Sequence, residues 1–253
     1  MVKRIIDFNT NITLDRNVAC IGNFDGLHRG HKKLIDKTLS LSKEKDLKSA
    51  FICFDKDPYE VITNNKIKHI ISNNRKYELI NNYGFDYLLI IKFNKDVMNL
   101  KPDEFIDLYL NRFNIDTLIS GFDFSFGYKG KGNVKDLRKH GRFNNIVIEE
   151  YKYYGKKISS TRIKANIIKG NFKLVERLLG YPYIISLKVI KSYKKDNNYL
   201  IEALPQDNTL IVPNNGIYND FEIKDNIFYI NSKTNIKTNK IIEFRYINEW
   251  IIK

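Results

Sequence analysis

Short apolar runs alternate with helical patterns over the first 180 or so residues, and this alternation constrains the fold more than any other feature of the chain. The runs with the length and composition of buried strands lie at residues 17–22, 49–55, 85–93, 115–124 and 144–153. The helical patterns between the first four runs lie at residues 31–45, 74–84 and 101–113. Strands that alternate with helices predict an α/β fold with a parallel sheet, and such sheets bind ligands at the carboxyl ends of their strands.

The sequence changes character near residue 182. Two more helices are predicted before that point, at residues 159–170 and 171–180, with serine hydroxyls and Asn171 placed to cap their starts. The β-like pieces beyond it, joined by Asn, Asp, Lys and Pro turns, lie at residues 183–193, 198–205, 209–218, 226–232 and 240–253. We therefore predict a first domain of residues 1–182 and a second, smaller, β-rich domain of residues 183–253.

The composition is that of a globular protein. A chain of 253 residues with 43% hydrophobic residues is long enough to bury a sizeable core. Cys20 and Cys53 each lie within an apolar run, so we expect buried free thiols rather than a disulfide or a metal site. The chain opens without the pattern of a signal peptide, and no apolar run is as long as a membrane span. We expect a cytoplasmic protein without a membrane partner.

The formal net charge of +14 is high, and residues 1–180 carry +12 of it. Such an excess suits a polyanionic ligand, either nucleic acid or the phosphates of a nucleotide. No block of five or six basic residues occurs, however, and Lys, Asn and Ile are frequent throughout the chain. We interpret the charge as compositional drift and do not expect nucleic acid as a partner.

The stretch of residues 21–37 joins the first predicted strand to the first predicted helix and holds three glycines and two histidines. Glycines let the backbone approach a ligand closely, and a helix start offers free N–H groups and the positive end of the helix dipole. His28 and His31 lie three residues apart around that start, and imidazoles donate hydrogen bonds to phosphate oxygens. The stretch therefore predicts a phosphate site with two histidine donors. A purely structural role is the alternative.

Other ligand motifs do not occur. The chain contains neither the G-x-G-x-x-G pattern of dinucleotide-binding folds nor the G-x-x-x-x-G-K-[ST] pattern of a P-loop. His28 and His31 have no cysteine or carboxylate pair at the spacing of a zinc site. The histidine pair after the first strand is thus the most specific chemical signal in the sequence.

Three segments carry a family resemblance. They are "GNFDGLHRGH" at residues 22–31, "SGFDFSFGYKGKGNVKDL" at residues 120–137, and the block of residues 158–183 that begins with "ISSTRIK". In this order they resemble the H-x-G-H signature, the G-x-D-F-x-F-G segment and the I-S-S-T-x-I-R block of the prokaryotic FAD synthetases, which are usually fused to riboflavin kinase. The likeness covers about residues 18–183 and implies a Rossmann-like nucleotidylyltransferase sheet.

The resemblance implies adenylyl transfer from ATP to FMN, which yields FAD and pyrophosphate with the help of Mg²⁺. The FMN phosphate attacks the α-phosphorus in line, so catalysis needs alignment and neutralisation of charge. The catalytic residues it implies are His28 and His31, which would hold the ATP phosphates, and Arg162, which would take the departing β- and γ-phosphates. The full set implied in ATP binding is Gly22, Asn23, Phe24, Asp25, His28, Gly30, His31, Ser159, Ser160, Thr161 and Arg162.

The resemblance also implies an aromatic flavin site. Phe54, Phe124 and Phe126 would pack on the isoalloxazine ring, and Asp123 would hydrogen-bond its polar edge. An ordinary core position is the alternative for each phenylalanine. The sequence assigns no residue to the metal.

The sequence departs from the family in three places. Lys56 and Asp57 replace a Pro-His pair after the second strand, and Lys164 replaces an arginine, with loss of the bidentate guanidinium. The G-x-P-T-A-N motif of a riboflavin kinase is absent, and "VPNNGIY" at residues 212–218 resembles the kinase barrel only faintly. We therefore interpret residues 183–253 as a reduced, kinase-derived barrel without phosphorylation activity.

Several functional hypotheses remain open. The leading one is a monofunctional FMN adenylyltransferase with ATP and FMN as its small-molecule substrates, and the second is a bifunctional riboflavin kinase/FAD synthetase. A protein that binds flavin or nucleotide without catalysis is the third, prompted by Lys56 and Asp57. A nucleotidylyltransferase for a phosphate other than that of a flavin is the fourth, since H-x-G-H is widely shared. The oligomeric state is not predicted.

Overall fold

The computed structural model describes residues 1–7, 9–218, 221–245 and 249–252, the last of these as backbone. The chain forms two compact units. The first unit comprises Met1–Ile67 and Asn73–Ile158, and the second comprises Lys68–Ser72 and Ser159–Lys253. The predicted helices 159–170 and 171–180 thus belong to the second unit, together with the C-terminal region. A functional domain of residues 1–182 stays a prediction.

In the first unit, the described residues form a six-stranded parallel sheet. Its strands are β1 (Val2–Ile6), β2 (Asn17–Ile21), β3 (Lys48–Phe54), β4 (Tyr87–Ile91), β5 (Ile115–Gly121) and β6 (Asn144–Ile148). They lie in the order β1-β4-β3-β2-β5-β6, and every neighbouring pair is parallel. Strands β2 and β3 are almost wholly buried, as is usual for apolar runs in a parallel sheet. The predicted Rossmann-like α/β fold is therefore confirmed.

Two strands of this unit differ from the sequence-based prediction. Strand β1 is not among the predicted strands, because its charged residues and its exposed Val2 and Ile5 give it no buried apolar run. It lies at the edge of the sheet beside β4. The predicted strand 144–153 ends at Ile148 and is followed by a short antiparallel hairpin. The strands of this hairpin are β7 (Lys152–Tyr153) and β8 (Lys156–Lys157).

The helices of the first unit are α1 (Arg29–Glu44), α2 (Pro58–Thr63), α3 (Asn73–Tyr83), α4 (Lys95–Asn99), α5 (Pro102–Leu108) and α6 (Val134–His140). Helices α1, α3 and α5 correspond to the three predicted ones. Helix α5 is shorter than predicted, because a 3₁₀ turn at Leu110–Arg112 follows it. The other three helices have five to seven residues, too few to show a helical period in the sequence.

The connections of the sheet create a switch point between β2 and β5. The chain passes from β2 to β3 and β4 on one side of β2, and then returns to β5 on its other side. In open parallel sheets, ligand sites form at such a point, beyond the carboxyl ends of the strands. The glycine- and histidine-containing stretch follows β2 directly, so the fold places it at the switch point.

The described part of the second unit holds helices α7 (Ser160–Ile168) and α8 (Phe172–Leu179) and a seven-stranded antiparallel sheet. Its strands are β9 (Ile184–Lys195), β10 (Asn198–Pro205), β11 (Gly216–Tyr218), β12 (Phe221–Lys224), β13 (Ile227–Ser232), β14 (Ile241–Arg245) and β15 (Glu249–Ile252). They lie in the order β11-β12-β13-β10-β9-β14-β15. Leu187, Ile201 and Phe228 are among the buried side chains of this sheet. The predicted β-rich C-terminal region is confirmed.

Three details of this region differ from the prediction. Only the last three residues of the predicted strand 209–218 form a strand, since Pro213 lacks an N–H and the two asparagines after it favour a turn. The predicted piece 240–253 contains two antiparallel strands, and its residues 246–248 and 253 lie outside the described residues. Asn171 precedes α8 but makes no side-chain cap, and its amide nitrogen donates to the side chain of Asn166.

Both cysteines are buried and free, as predicted. Burial raises the pKa of Cys20 to about 12 and that of Cys53 to about 11, so both thiols stay protonated at pH 7. Through the ranges that the structure describes, no helix combines the length and the apolar character needed to cross a bilayer.

Tyr183 allows a test of how much a buried hydrogen bond stabilises the second unit. The buried hydroxyl of Tyr183 donates a hydrogen bond to the carbonyl oxygen of Ile211 at 2.5 Å. The exposed hydroxyl of Tyr218 donates one to the carbonyl oxygen of Asn214 at 2.7 Å. Tyr183→Phe should lower the free energy of unfolding by about 1–3 kcal/mol, because a buried carbonyl loses its partner. Tyr218→Phe should cost less than about 0.5 kcal/mol, because water replaces the hydroxyl. Urea unfolding measures both values, and equal losses would contradict this account.

Candidate functional site

The loop between β2 and α1 has a fixed and unusual backbone. Phe24, Gly26 and Leu27 have positive φ values of 56°, 82° and 39°. This conformation is unfavourable for Phe and Leu, and the burial of both side chains compensates for it. The ring of Phe24 lies 4.2 Å, centroid to centroid, from that of Phe51 on β3. The loop of residues 22–28, called the histidine loop below, is thus anchored in the core.

His28 begins the helix. It occupies the N-cap position of α1, and its Nδ1 accepts a hydrogen bond from the backbone N–H of His31 at 3.3 Å. An accepting Nδ1 carries no proton, so the neutral imidazole carries its proton on Nε2, which is then a donor. A Cβ on Gly30 would lie 3.1 Å from the His28 ring, so glycine lets the imidazole lie against the helix start. The cap therefore sets both the position and the tautomer of His28.

The two imidazoles form a histidine stack. Their ring centroids are 3.6 Å apart, and the planes of His28 and His31 differ by 11°. The ring of Phe24 meets that of His31 edge to face at 5.1 Å. The Nδ1 atom of His31 is buried, and none of the described residues offers it a hydrogen bond. The fold thus brings both predicted histidines together, and the described residues leave Nδ1 of His31 unsatisfied.

Both histidines are neutral at pH 7. Burial lowers the pKa of His28 to about 4, although the carboxylates of Asp25 and Asp123 oppose the shift. Burial also lowers the pKa of His31 well below its usual 6.5, and His28 and the ammonium group of Lys76 lower it further. Neutral rings stack without mutual repulsion. They can donate to a phosphate that brings its own negative charge.

Asp57 supports the histidine loop at a position where the resemblance leads us to expect a histidine. Its carboxylate caps α2 by accepting the N–H of Tyr59 at 2.9 Å, and it also accepts a hydrogen bond from the side chain of Asn23. One carboxylate thus links α2 to the histidine loop. The neighbouring Lys56 is exposed. The departure at position 57 therefore has a structural role in this chain.

Asp123 follows β5, the strand next to β2. Its carboxylate lies 2.5 Å from Nζ of Lys157, and that ammonium group lies 4.7 Å from the ring centroid of Phe122. The charge of Asp123 raises the pKa of His28 and the charge of Lys157 lowers it, so both charges act on the histidine stack. A flavin contact by Asp123 would have to compete with this ion pair.

The three phenylalanines predicted for the flavin lie in one aromatic cluster. Phe124 and Phe126 have ring centroids 5.5 Å apart, and Phe126 lies 5.5 Å from Phe105, which in turn lies 6.5 Å from Phe54. Phe54 and Phe126 are each 6% exposed and belong to the hydrophobic core, whereas Phe124 is half-buried. Of the three, Phe124 has the most ring surface available to a ligand.

The remaining predicted ATP residues lie in the second unit, at the start of α7. Ser159 is the N-cap, and its Oγ accepts the N–H of Arg162 at 3.3 Å, so the predicted serine cap is confirmed. The carbonyl oxygen of Arg162 accepts a bond from Asn166. Ser160 and Arg162 are half-buried, and Thr161 is exposed. The predicted ATP residues therefore form two sets, one in each unit.

Mg²⁺ needs few protein ligands when it arrives with a nucleotide, because water and phosphates supply the others. Among the described residues, no group of three or more His, Cys, Asp and Glu side chains is arranged to hold a metal. The histidine loop does contain a largely buried carboxylate, Asp25. The residues present therefore fit a metal ion that binds together with ATP.

Lys76 is a buried residue beside the histidine loop that the sequence does not identify. It lies on α3, is 5% exposed, and has its Nζ 3.5 Å from the carbonyl oxygen of Asn23. Lysine in a polar helix normally faces solvent, and no pattern in the sequence separates Lys76 from the exposed lysines. Only the packing of α3 indicates its position.

The low pKa of His28 predicts a loss of stability in acid. Between pH 6.5 and about 4 the unfolded chain binds a proton at His28 and the folded chain does not, so the free energy of unfolding falls as pH falls. His28→Asn keeps an N-cap acceptor but removes the titration. From about pH 7 to about pH 4.5, urea unfolding should show a loss on the order of 2 kcal/mol larger in the wild type than in the variant. Equal losses would contradict the low pKa.

Comparison with known proteins gives a family match. Residues 11–162 match the model of the FAD synthetase family. The chain is 32% identical over 262 residues to the bifunctional riboflavin kinase/FMN adenylyltransferase of Buchnera aphidicola subsp. Acyrthosiphon pisum, a match that covers 96% of this chain and 80% of that protein. It is 30% identical over 207 residues to the protein of the same description from Listeria monocytogenes, of which it spans slightly less than two thirds, 66%.

A solved structure has a similar fold. It is the crystal structure of a macrolide-efflux protein from Streptococcus pneumoniae, with a TM-score of 0.83 and 20% identity over 97% of this chain and 89% of that one. At this identity the similarity concerns the fold alone. Because the family model covers more than half of the chain and the Buchnera relative matches almost all of it, the chain belongs to the FAD synthetase family, a family of nucleotidyltransferase enzymes.

Proposed function

We propose that this chain is an FMN adenylyltransferase, which transfers the adenylyl group of ATP to the phosphate of FMN. The curated relatives are described as having this activity together with riboflavin kinase activity. The observation that carries the proposal is the neutral histidine stack at the switch point of the parallel sheet. It offers donors for phosphate groups where such sheets bind nucleotides.

The reaction requires alignment and charge stabilisation rather than a covalent intermediate. An oxygen of the FMN phosphate attacks the α-phosphorus of ATP, and the bond from that phosphorus to the oxygen bridging to the β-phosphate breaks. The electron pair of that bond leaves with pyrophosphate, so negative charge grows on the departing group. Nε2–H of His28 and the ring of His31 stabilise this charge as neutral donors, and no proton transfer is needed. Asp25 would help to hold Mg²⁺ that arrives with ATP, and the ion would supply positive charge against the phosphates.

The histidine loop supplies further ATP contacts in this proposal. Gly22 in this loop and Gly30 in the first turn of α1 have no side chain, so the backbone there can approach the nucleotide closely. A Cβ on Gly22 would lie 3.2 Å from the ring of Phe24, and one on Gly30 would lie 3.1 Å from that of His28. The remaining loop residues assigned to ATP binding are Asn23, Phe24 and Asp25. The anchored backbone keeps these groups in place before the nucleotide arrives.

Arg162 provides the second phosphate contact. The departing pyrophosphate carries most of the developing charge, and a guanidinium group binds two phosphate oxygens at once. Ser159, Ser160 and Thr161 lie in the first turn of α7, where free N–H groups and the helix dipole favour an anion. We assign the β- and γ-phosphates of ATP to this set.

The flavin binds near the aromatic cluster in this proposal. Phe124 offers ring surface to the isoalloxazine, while Phe54 and Phe126 support it from the core. Asp123 would meet the polar edge of the flavin once its ion pair with Lys157 opens.

Residues 183–253 form a kinase-derived domain without phosphorylation activity in this proposal. The chain lacks the G-x-P-T-A-N motif, and of residues 212–218, which resemble the kinase barrel, only Gly216–Tyr218 form a strand. The alternative, a bifunctional enzyme, is favoured by the names of the curated relatives. We further propose that the enzyme acts in the cytoplasm on small molecules alone.

One product assay separates these functions. Purified protein incubated with Mg²⁺, ATP and FMN should form FAD, and with riboflavin in place of FMN it should form neither FMN nor FAD. Chromatography of the flavins measures both reactions. FMN from riboflavin would show the bifunctional enzyme, and the absence of FAD from FMN would refute adenylyl transfer.

His31→Ala tests in the same assay whether the histidine stack contributes to FAD formation. It should lower FAD formation about 10²–10³-fold, the usual effect of removing one donor to developing charge. His140→Ala, which changes an exposed histidine on α6, should keep full activity. Circular dichroism establishes that both variants fold. Normal activity in folded His31→Ala would place the phosphates elsewhere.

A further inference from the structure

Lys76 is a buried cation for which the described residues supply no counter-ion. Its side chain on α3 is 5% exposed. Nζ donates to the carbonyl oxygen of Asn23 at 3.5 Å, the upper limit of a hydrogen bond, and lies 5.7 Å from the ring centroid of Tyr77. No described carboxylate forms an ion pair with it. A lone charge removed from water is unfavourable, so the position of Lys76 calls for an explanation.

Asp116 is another buried charge of the first unit, and it is paired with two cations. This carboxylate is 9% exposed, and the side chains of Arg16 and Lys45 each approach it to 2.5 Å. The two cations lower the pKa of Asp116, as paired charges do. The fold therefore provides counter-charge within the chain where a buried charge is structural. Lys76 has none.

The charge of Lys76, which no described carboxylate pairs, lies beside the histidine stack. The carbonyl group to which it donates belongs to Asn23 in the histidine loop. Its charge also reaches the ring of His31 and lowers the pKa of that ring. The buried Nδ1 of His31 has no partner among the described residues. A positive charge and an unsatisfied imidazole thus lie at one loop, and a negatively charged ligand would satisfy both.

We propose that Lys76 is a phosphate-recognition residue of the nucleotide site, whose fixed positive charge is neutralised by the phosphates of ATP bound at the histidine stack. The inference rests on the proposed function, because it takes ATP as the ligand of the stack. The ammonium group of Lys76 attracts the negative charge of the phosphates. It therefore contributes to the binding of the phosphates and not to the binding of adenine or ribose. Lys76→Met tests this directly, because methionine has a similar shape without the charge.

Calorimetric titration with ATP and with adenosine measures the effect. Lys76→Met should weaken ATP binding about 10- to 100-fold, the usual effect of losing a charged contact, and leave adenosine binding unchanged. Arg75→Met is the matched control, because Arg75 is the neighbouring cation on α3 and its side chain is 44% exposed. This control should bind both ligands as the wild type does.

The melting temperature without ligand distinguishes recognition from a structural role. Lys76→Met should melt at or above the temperature of the wild type, because an unpaired buried charge is removed. A lower melting temperature together with weaker binding of both ligands would overturn the inference in favour of a structural role. Unchanged ATP affinity in the variant would also overturn it.

The binding assay also separates this inference from the proposed function. If the wild type binds ATP without forming FAD and Lys76→Met loses ATP affinity, the inference stands and the proposed function fails. If the wild type forms FAD while Lys76→Met binds ATP normally, the inference alone fails. A wild type that binds no ATP would refute both.

Discussion

One hydrogen bond, from the backbone N–H of His31 to Nδ1 of His28, organises the candidate site. It begins helix α1, fixes the proton of His28 on Nε2, and holds the two rings face to face. The parallel sheet determines where this happens, because β2 ends at the switch point beside β5. The strained backbone at Phe24 and Leu27 is stable only because both side chains are buried in the core. Fold and site therefore depend on the same few residues.

The site is arranged to receive negative charge. Burial keeps both histidines neutral, so they donate hydrogen bonds without adding a charge that the protein would have to solvate. Lys76 supplies a positive charge from α3, and no carboxylate among the described residues pairs with it. A triphosphate brings the missing charge together with oxygen acceptors. Burial is usually unfavourable for polar groups. In this site it strengthens each electrostatic contact with the phosphates.

The sequence predicts the elements that depend on local patterns. Buried strands such as β2 and β3 are continuous apolar runs, and the histidine pair follows the first of them, so fold class and candidate site are both visible in the chain. Strand β1 is not visible, because its residues face solvent and it is ordered by pairing with β4. The roles of Asp57 and Lys76 depend on contacts across 34 and 53 residues, respectively, and no local pattern encodes such contacts. Strand β1 and the roles of Asp57 and Lys76 thus depend on long-range packing, which local sequence patterns do not predict.

The central claim, that the histidine stack binds the triphosphate, is tested most directly by nitrogen NMR of the imidazole rings. The chain has four histidines, and the signals of His28 and His31 are assigned by their loss in single variants. Near pH 7, the account predicts neutral rings with the proton of His28 on Nε2. Saturation with a non-hydrolysable ATP analogue should shift the signals of both rings and leave that of His140 unchanged. Signals of His28 and His31 that stay in place at saturation would contradict the account.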